Sequence, residues 1–390
     1  MNDSDRIVLS PSVALAPAED GYLAYDIETG CLHRLNAAAA VIVELCNGQL
    51  SRGEISALIA PILGARDPKA CDAWINAAHA DGLLKFVDGN TPLPSPPQPK
   101  ELAFTARKLR KEGSVLAAFV CQYHATQQSP DDGGQWCALG ELAHIVGRRG
   151  DAREAYERYL EFEPDDAEVQ QILVALRDET PPPRAPDRCI EQLYARFSEF
   201  YEDNMCGHLD YQGPKRLAEA LDEELGATGG LDLLELGCGT GLAASVLRPR
   251  ARRLTGIDLS REMIDRAKVR GLYDELVVAE ITTWLEQSAG TMHDLIVACD
   301  TLIYFGDLRQ VLRPAYARLR PGGRVVFTVE MDDKTPFRLT DSGRYAHSQE
   351  HIMAAAAEAG FILKKISKGL LRYEYGEDVI GLITVLQRPV

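Results

Sequence analysis

Glu235, Gly237, Gly239 and Gly241 stand at alternate positions in Leu231–Gly241, LDLLELGCGTG. One acid beside three bare backbone positions suits a small polar ligand held against the main chain. The apolar run Leu233-Leu234-Glu235-Leu236 stops at the glycines, and a helix-like stretch, Leu242–Leu247, follows. That order predicts a buried strand, a tight turn and a helix N-terminus, the start of an open α/β sheet. Ligands of such sheets bind at the carboxyl ends of the strands, where a helix end offers free N–H groups and partial positive charge. A dinucleotide fingerprint wants its third glycine at relative position 6, which here is Leu242. Asp258 ends the next apolar run, Leu254–Ile257, and is placed to bind ribose hydroxyls. Glu280 follows a third apolar run. Acids after three successive runs argue against a glycine turn that holds no ligand.

The pattern acid-x-Gly-x-Gly-x-Gly resembles the first motif of the class I S-adenosylmethionine (SAM) methyltransferases. SAM has no phosphate; it carries a carboxylate, an ammonium, a sulfonium and a ribose diol. The resemblance implies that Glu235 holds the ammonium, directly or through water, and that the helix end suits the carboxylate. It implies a cofactor site built from Glu235, Gly237, Cys238, Gly239 and Gly241 in the turn. Asp258, Leu259 and Met263 would follow the second strand, Glu280 and Ile281 the third, and Asp300 the fourth. No metal is implied. Cys238 reads as a small residue that fits the turn rather than as a nucleophile.

Methyl transfer is an in-line displacement at carbon, and the sulfonium already makes the methyl electrophilic. Positioning is the protein's main task, with a base needed only if the nucleophile carries a proton. His347 is the first candidate base or substrate anchor, because imidazole titrates near neutrality. Arg344 and Tyr345 share its segment, and Arg344 would suit a carboxylate acceptor. Tyr304, beyond the fourth strand, can wall the methyl pocket. For the segment Arg344–His347, a helix cap and packing motif is an equal alternative.

The elements that must position these residues occupy 188–390. Strands are expected at 231–236, 253–258, 275–279, 294–299, 324–330, 361–367 and 379–387, seven with a final hairpin. Pro321-Gly-Gly323 reads as the turn into the fifth strand, and residues 188–225, rich in aromatic and acidic side chains, as helices lidding the site. Asp294–Tyr304, Gly306-Asp307-Leu308 and Asp341–Ser348 (DSGRYAHS) resemble a bacterial group of predicted methyltransferases that carry tetratricopeptide (TPR) repeats upstream.

Such repeats fit residues 100–179: Trp136, Leu139, Gly140, Ala152, Tyr156 and Pro164 match the 34-residue pattern, and Val169–Leu176 would cap the array. Pro-rich linkers are expected at 89–99 and 180–187. Residues 1–88 read as two short strands around Glu28-Thr-Gly30, a helix capped by Asn36, a helix with the Ser51/Glu54 capping box, a third from Pro68, and a strand at 83–86. This winged-helix-like unit has no basic recognition helix. Its passages Tyr22–Asn36, Leu45–Gly48, Glu54-Ile55 and Asp81–Leu84 resemble the PqqD-like domains, or RiPP recognition elements. The resemblance implies that residues 1–88 bind the leader of a ribosomal precursor peptide, added as a strand to the hairpin edge.

The 390 residues carry a net charge of −16, which disfavours a nucleic-acid partner. No run of 18 apolar residues and no signal peptide are visible, and the nine cysteines show no C-x-x-C spacing, so a reduced cytoplasmic protein is expected. The expected fold is multidomain: winged-helix-like, then α-helical TPR-like, then an α/β class I methyltransferase sheet. The expected function is O-methylation of a precursor peptide, ahead of N or S. A small-molecule methyltransferase with assembly domains is the alternative, and a SAM-binding scaffold the third. Oligomeric state is left open.

Overall fold

A computed structural model describes residues 6–62, 69–88, 95–197, 201–202, 205, 207, 209–226, 228–287, 290–374 and 377–390. The expected helix start at Pro68 and most of the first Pro-rich linker lie outside the described residues. The chain divides into two compact units, Met1–Pro164 and Asp165–Val390.

The first unit runs β1 (Arg6–Leu9), β2 (Val13–Ala18), β3 (Gly21–Asp26), β4 (Cys31–Asn36), α1 (Ala37–Leu45), β5 (Asn47–Ser51), α2 (Arg52–Ile62), α3 (Lys69–Ala80) and β6 (Leu84–Val87). Four helices follow: α4 (Pro99–Lys111), α5 (Val115–Gln128), α6 (Gly133–Ile145) and α7 (Arg149–Phe162). The hairpin read from sequence is β3–β4, extended by β2 into a meander; β1 sits between β5 and β6 in a second small sheet. Asn36 caps α1 by accepting from Ala39 N–H at 3.0 Å. Ser51 N–H donates to the Glu54 carboxylate at 2.8 Å, the reciprocal half of the capping box. Ile7, Leu35, Ile42, Ile55, Ile59 and Ile75 meet in one core. α6 packs closely on α7 at Gly140, where a Cβ would come within 2.6 Å of the Tyr156 ring. The helices are not a separate array: Leu15 N–H of β2 donates to His124 of α5 at 3.0 Å. The outer edge of β2 is thereby met by a helix, whereas β4 is an edge with no further strand among the described residues.

The second unit begins with α8 (Ala167–Leu176), α9 (Asp187–Phe197) and α10 (Gly213–Leu225). Then come β7 (Leu231–Leu236), α11 (Ala244–Leu247), β8 (Ala251–Asp258), α12 (Arg261–Arg270), β9 (Glu275–Val278), α13 (Ile281–Gln287) and β10 (His293–Ala298). The chain closes with α14 (Arg309–Ala317), β11 (Leu319–Met331), β12 (Phe337–Leu339), β13 (Tyr345–His347), α15 (Gln349–Ala359), β14 (Ile362–Glu374) and β15 (Glu377–Gln387). The seven long strands lie in the order β9-β8-β7-β10-β11-β15-β14, parallel except for β15, which runs antiparallel to both neighbours. The reversal of order falls between β7 and β10, the crevice where such sheets bind ligands.

Strand residues alternate between two cores. Leu233, Leu254, Val297 and Val326 face α10 and α11; Leu234, Ile257, Ile296 and Phe327 face α13, α14 and α15. Burial on both faces is why these strands read as continuous apolar runs.

Three features depart from the sequence expectation. α8, expected to cap the repeats, belongs to the second unit, where Ala175 packs on Leu339 and Tyr345. The sheet gains β13 from the DSGRYAHS passage, which pairs with the carboxyl end of β11, and β12 beyond it, which pairs with β13. The second Pro-rich stretch is docked rather than extended: Pro183 C=O accepts from Gly306 N–H at 2.9 Å, and Ala185 is fully buried. Proline lacks a donor, but its carbonyl still accepts.

Candidate functional site

The glycine turn leaves β7 with Gly237, Gly239 and Gly241 all at positive φ, +64°, +54° and +83°. Each therefore occupies backbone space that a side chain resists. Gly237 lies against Thr301 after β10, where a Cβ would come within 2.2 Å of Thr301 Cγ2. A Cβ on Gly239 would meet nothing within 4 Å, so its bare backbone faces the open pocket. The helix behind the turn is α11, a single turn instead of the six residues expected. Its dipole is correspondingly slight, and the turn's own N–H groups carry the polar recognition.

Asp258 stands at the end of β8. Its carboxylate accepts from Gly239 N–H at 2.8 Å and from Ser260 N–H at 2.9 Å. The two bonds fix it at the pocket wall, and each oxygen keeps a further lone pair. Burial raises its pKa against those bonds. Leu259, Met263 and Ile281 line the same pocket. Glu280 lines it too, but its carboxylate caps α13, accepting from Thr282 and Thr283 N–H at 3.0 and 2.7 Å. Glu235 lies in an adjoining recess with Cys238, Tyr201 and Tyr211. It is 2% exposed, accepts from the Tyr273 hydroxyl at 2.7 Å, and burial pushes its pKa up to about 8. Cys238 is buried, with a thiol pKa raised by burial, as suits a packing residue. Gly241 backs onto Arg270 and Tyr273 and supports the turn from behind.

Beyond β10, Tyr304 walls the pocket, its hydroxyl 2.8 Å from that of Tyr194 on α9. Asp300 also lines the pocket, in the left-handed region at φ +55°. Its N–H donates to Thr328 Oγ1 at 2.7 Å and its Oδ2 accepts from Arg372 at 3.0 Å. Arg372 also binds Glu330 and Glu374, and Arg344 binds the same two glutamates.

The other candidates lie behind the pocket. His347 is fully buried in β13; its Nε2 meets Phe305 C=O at 2.7 Å and burial lowers its pKa to about 4. A neutral, enclosed ring that does not line the pocket supports Phe305 there and has no path to a substrate proton. Tyr345 donates to Pro182 C=O at 2.6 Å, pinning the Pro-rich stretch. Arg344 is committed to two glutamates and is not a free anchor for a carboxylate. The packing alternative for Arg344–His347 is the one these contacts fit.

Sequence reasoning missed Arg184, Tyr194, Tyr201 and Cys299 in the pocket wall, and Arg372 beneath it. The aromatic character of 188–225 was a signal for Tyr194 and Tyr201. Arg372 had none, because the two partners that tie it to the site, Asp300 and Glu330, lie 72 and 42 residues away in sequence.

The fold and the glycine turn define a SAM-dependent methyltransferase domain, with SAM as its cofactor. Residues 234–325 match the family described as "Methyltransferase domain". The chain is 28% identical over 169 residues to the ubiquinone biosynthesis O-methyltransferase of Bordetella avium (strain 197N), covering 38% of this chain and 68% of that protein. It is 35% identical over 103 residues to the trans-aconitate 2-methyltransferase of Paracidovorax citrulli (strain AAC00-1), 26% of this chain and 38% of that one. Against the curated relatives the match spans about half their length, as with the 50% of the Vibrio parahaemolyticus ubiquinone biosynthesis O-methyltransferase. A solved structure, the N-methyltransferase NodS of Bradyrhizobium japonicum WM9 with S-adenosylhomocysteine, shares 25% identity, 45% of this chain and 87% of that one, with a TM-score of 0.37.

The residues around the turn fit SAM. The space in front of Gly239 is one a side chain would fill, and Glu235 is a buried carboxyl suited to an ammonium. Asp258 would take the ribose hydroxyls, and Leu259, Met263 and Ile281 the adenine. When bound, SAM supplies the electrophilic methyl.

Proposed function

We propose that the whole chain is a SAM-dependent methyltransferase acting on a ribosomal precursor peptide, on oxygen ahead of nitrogen or sulfur. The leader is held by residues 1–88, read as a PqqD-like domain, and helices α4–α7, read as TPR-like, support it. The observation that carries this reading is the β4 edge. β2 is met by α5, while β4 has no further strand beside it among the described residues, and Leu32 on it is 42% exposed. Val41 on the adjoining α1 is 38% exposed. A peptide strand paired to β4 would satisfy that edge and cover both side chains. A reduced, cytoplasmic setting goes with this reading.

A small-molecule acceptor is the second reading, favoured by relatives whose names specify ubiquinone and trans-aconitate chemistry. The test separating the two uses synthetic N-terminal segments of short open reading frames next to the gene. On the peptide reading, one such segment binds the full chain. Leu32→Asp then weakens that binding by roughly tenfold or more, the loss of one desolvated apolar contact plus a buried charge, and leaves SAM affinity unchanged. Leader binding unaffected by Leu32→Asp, or absent for every segment, favours the small molecule.

A further inference from the structure

Among the described residues, Asp300 is a pocket carboxylate with a buried oxygen that has no partner. Its side chain is 9% exposed, Oδ2 is held by Arg372, and Oδ1 is buried and accepts no hydrogen bond among the described residues. Such an orphan costs stability unless something fills it. The backbone is committed to the arrangement, since φ is +55° and the N–H is tied to Thr328. The carboxylate belongs to a buried network of three acids, Asp300, Glu330 and Glu374, with two arginines, Arg344 and Arg372. One negative charge is thus left over, and of the three acids Asp300 is the one that lines the pocket.

The same inventory speaks to the acceptor. Both arginines beneath the pocket are engaged by carboxylates. The cation in the wall, Arg184, is 2.6 Å from Asp187 and 3.8 Å from Glu280. A carboxylate acceptor would meet Asp300 and the tyrosines without a free counter-charge. An acceptor with an O–H or N–H would find an unsatisfied carboxylate oxygen.

We infer that Asp300 is the catalytic base of this site: Oδ1 takes the proton of a protic acceptor, a hydroxyl or amine, while Arg372 acts as a positioning residue that fixes Oδ2. The inference rests on reading this pocket as a methyl-transfer site. In the step, the acceptor's lone pair forms the bond to the methyl carbon. The carbon–sulfur bond breaks with its electron pair going to sulfur, leaving S-adenosylhomocysteine. The acceptor's proton passes to Oδ1, giving a neutral carboxyl that later returns it to water. Burial raises the pKa of Asp300 against the pull of Arg372, the direction a base requires.

The rival assignment is that Oδ1 holds the methionyl ammonium of SAM. Calorimetry with two cofactor analogues separates the two without knowing the acceptor. S-adenosylhomocysteine and sinefungin share the methionyl ammonium, but sinefungin carries an amine on carbon where SAM carries its methyl sulfonium. A base beside the methyl should bond that amine. Asp300→Asn suits the test: asparagine tolerates left-handed backbone, and the network is left with equal charges of both signs. The expected result is that sinefungin affinity falls by about tenfold or more, the worth of a charge-assisted hydrogen bond, and S-adenosylhomocysteine affinity by less than about threefold. Arg372→Lys, which keeps the charge but loses the fork that grips Oδ2, should lower the sinefungin preference part of the way. Equal loss of both analogues in Asp300→Asn overturns the inference in favour of the ammonium anchor, and unchanged affinities overturn it outright. Failure of the wild-type chain to bind S-adenosylhomocysteine overturns the methyl-transfer reading, and the inference with it.

Discussion

With a pKa of about 8, Glu235 is largely protonated at pH 7 in the free protein. An ammonium placed beside it favours the carboxylate, so SAM binding should expel that proton. Affinity then rises with pH up to about 8, by as much as roughly tenfold per unit, and flattens above. Calorimetry in buffers of different ionisation enthalpy reads the released proton directly. Glu235→Gln should abolish the buffer dependence, whereas a wild-type chain that binds SAM without proton release would remove Glu235 from the ammonium site. Asp258→Ala should cost roughly 2–4 kcal/mol of SAM affinity if two ribose hydrogen bonds are lost. Its other two partners are backbone N–H groups of the turn and of α12's cap, so circular dichroism must show a native fold. Unchanged affinity in that fold contradicts the assignment. His347 makes a different prediction. Its folded pKa, about 4, lies below the ordinary 6.5, so the unfolded chain takes the proton first as pH falls. The stability that buried neutral His347 contributes is present above pH 6.5 and is lost through the window down to about 4. His347→Gln should therefore cost less at pH 5 than at pH 7.5, by roughly 2 kcal/mol in urea denaturation. A cost independent of pH would mean that the ring is not buried neutral.

At the scale of elements, legibility followed locality. β7 was readable to the residue because its apolar run, its acid and its glycines are contiguous, and a strand buried on both faces has no alternation to confuse it. The capping box of α2 and the Asn36 cap of α1 were readable for the same reason, since each is a bond across three residues. The helix after the turn was over-read: Leu242–Leu247 has the right residues, but the turn consumes two of them and a proline at 249 ends the regular helix. The DSGRYAHS passage announced itself by residue types able to do chemistry, yet its side chains serve packing. Arg344 finds its glutamates on β11 and β14, and Tyr345 finds a proline carbonyl 163 residues back. Pairings at that separation leave no periodicity to read. Of the site residues that escaped, Arg372 sits inside a long hairpin strand whose sequence, Ile362–Glu374, looks like surface.

For the whole molecule, the division into Met1–Pro164 and Asp165–Val390 assigns the cofactor turn and the β4 edge to different units. A change confined to the first unit should leave SAM binding intact. Residues 1–88 are not a separable module, because β2 and α5 are joined within the same unit. Among the described residues, no helix is long and apolar enough to cross a membrane. The net charge of −16 works against a nucleic-acid acceptor. On the proposed function, the second unit moves a methyl group from SAM to an acceptor with a proton to give. The experiment is to incubate the full chain with SAM carrying a trideuterated methyl, against peptides encoded by short open reading frames next to the gene and a panel of phenols, amines and carboxylic acids. Mass spectrometry should find the label on an O–H or N–H acceptor, S-adenosylhomocysteine in equal amount, and neither with Asp258→Ala. Label on a carboxylic acid, or tight SAM binding with no labelled acceptor and no S-adenosylhomocysteine, would contradict it.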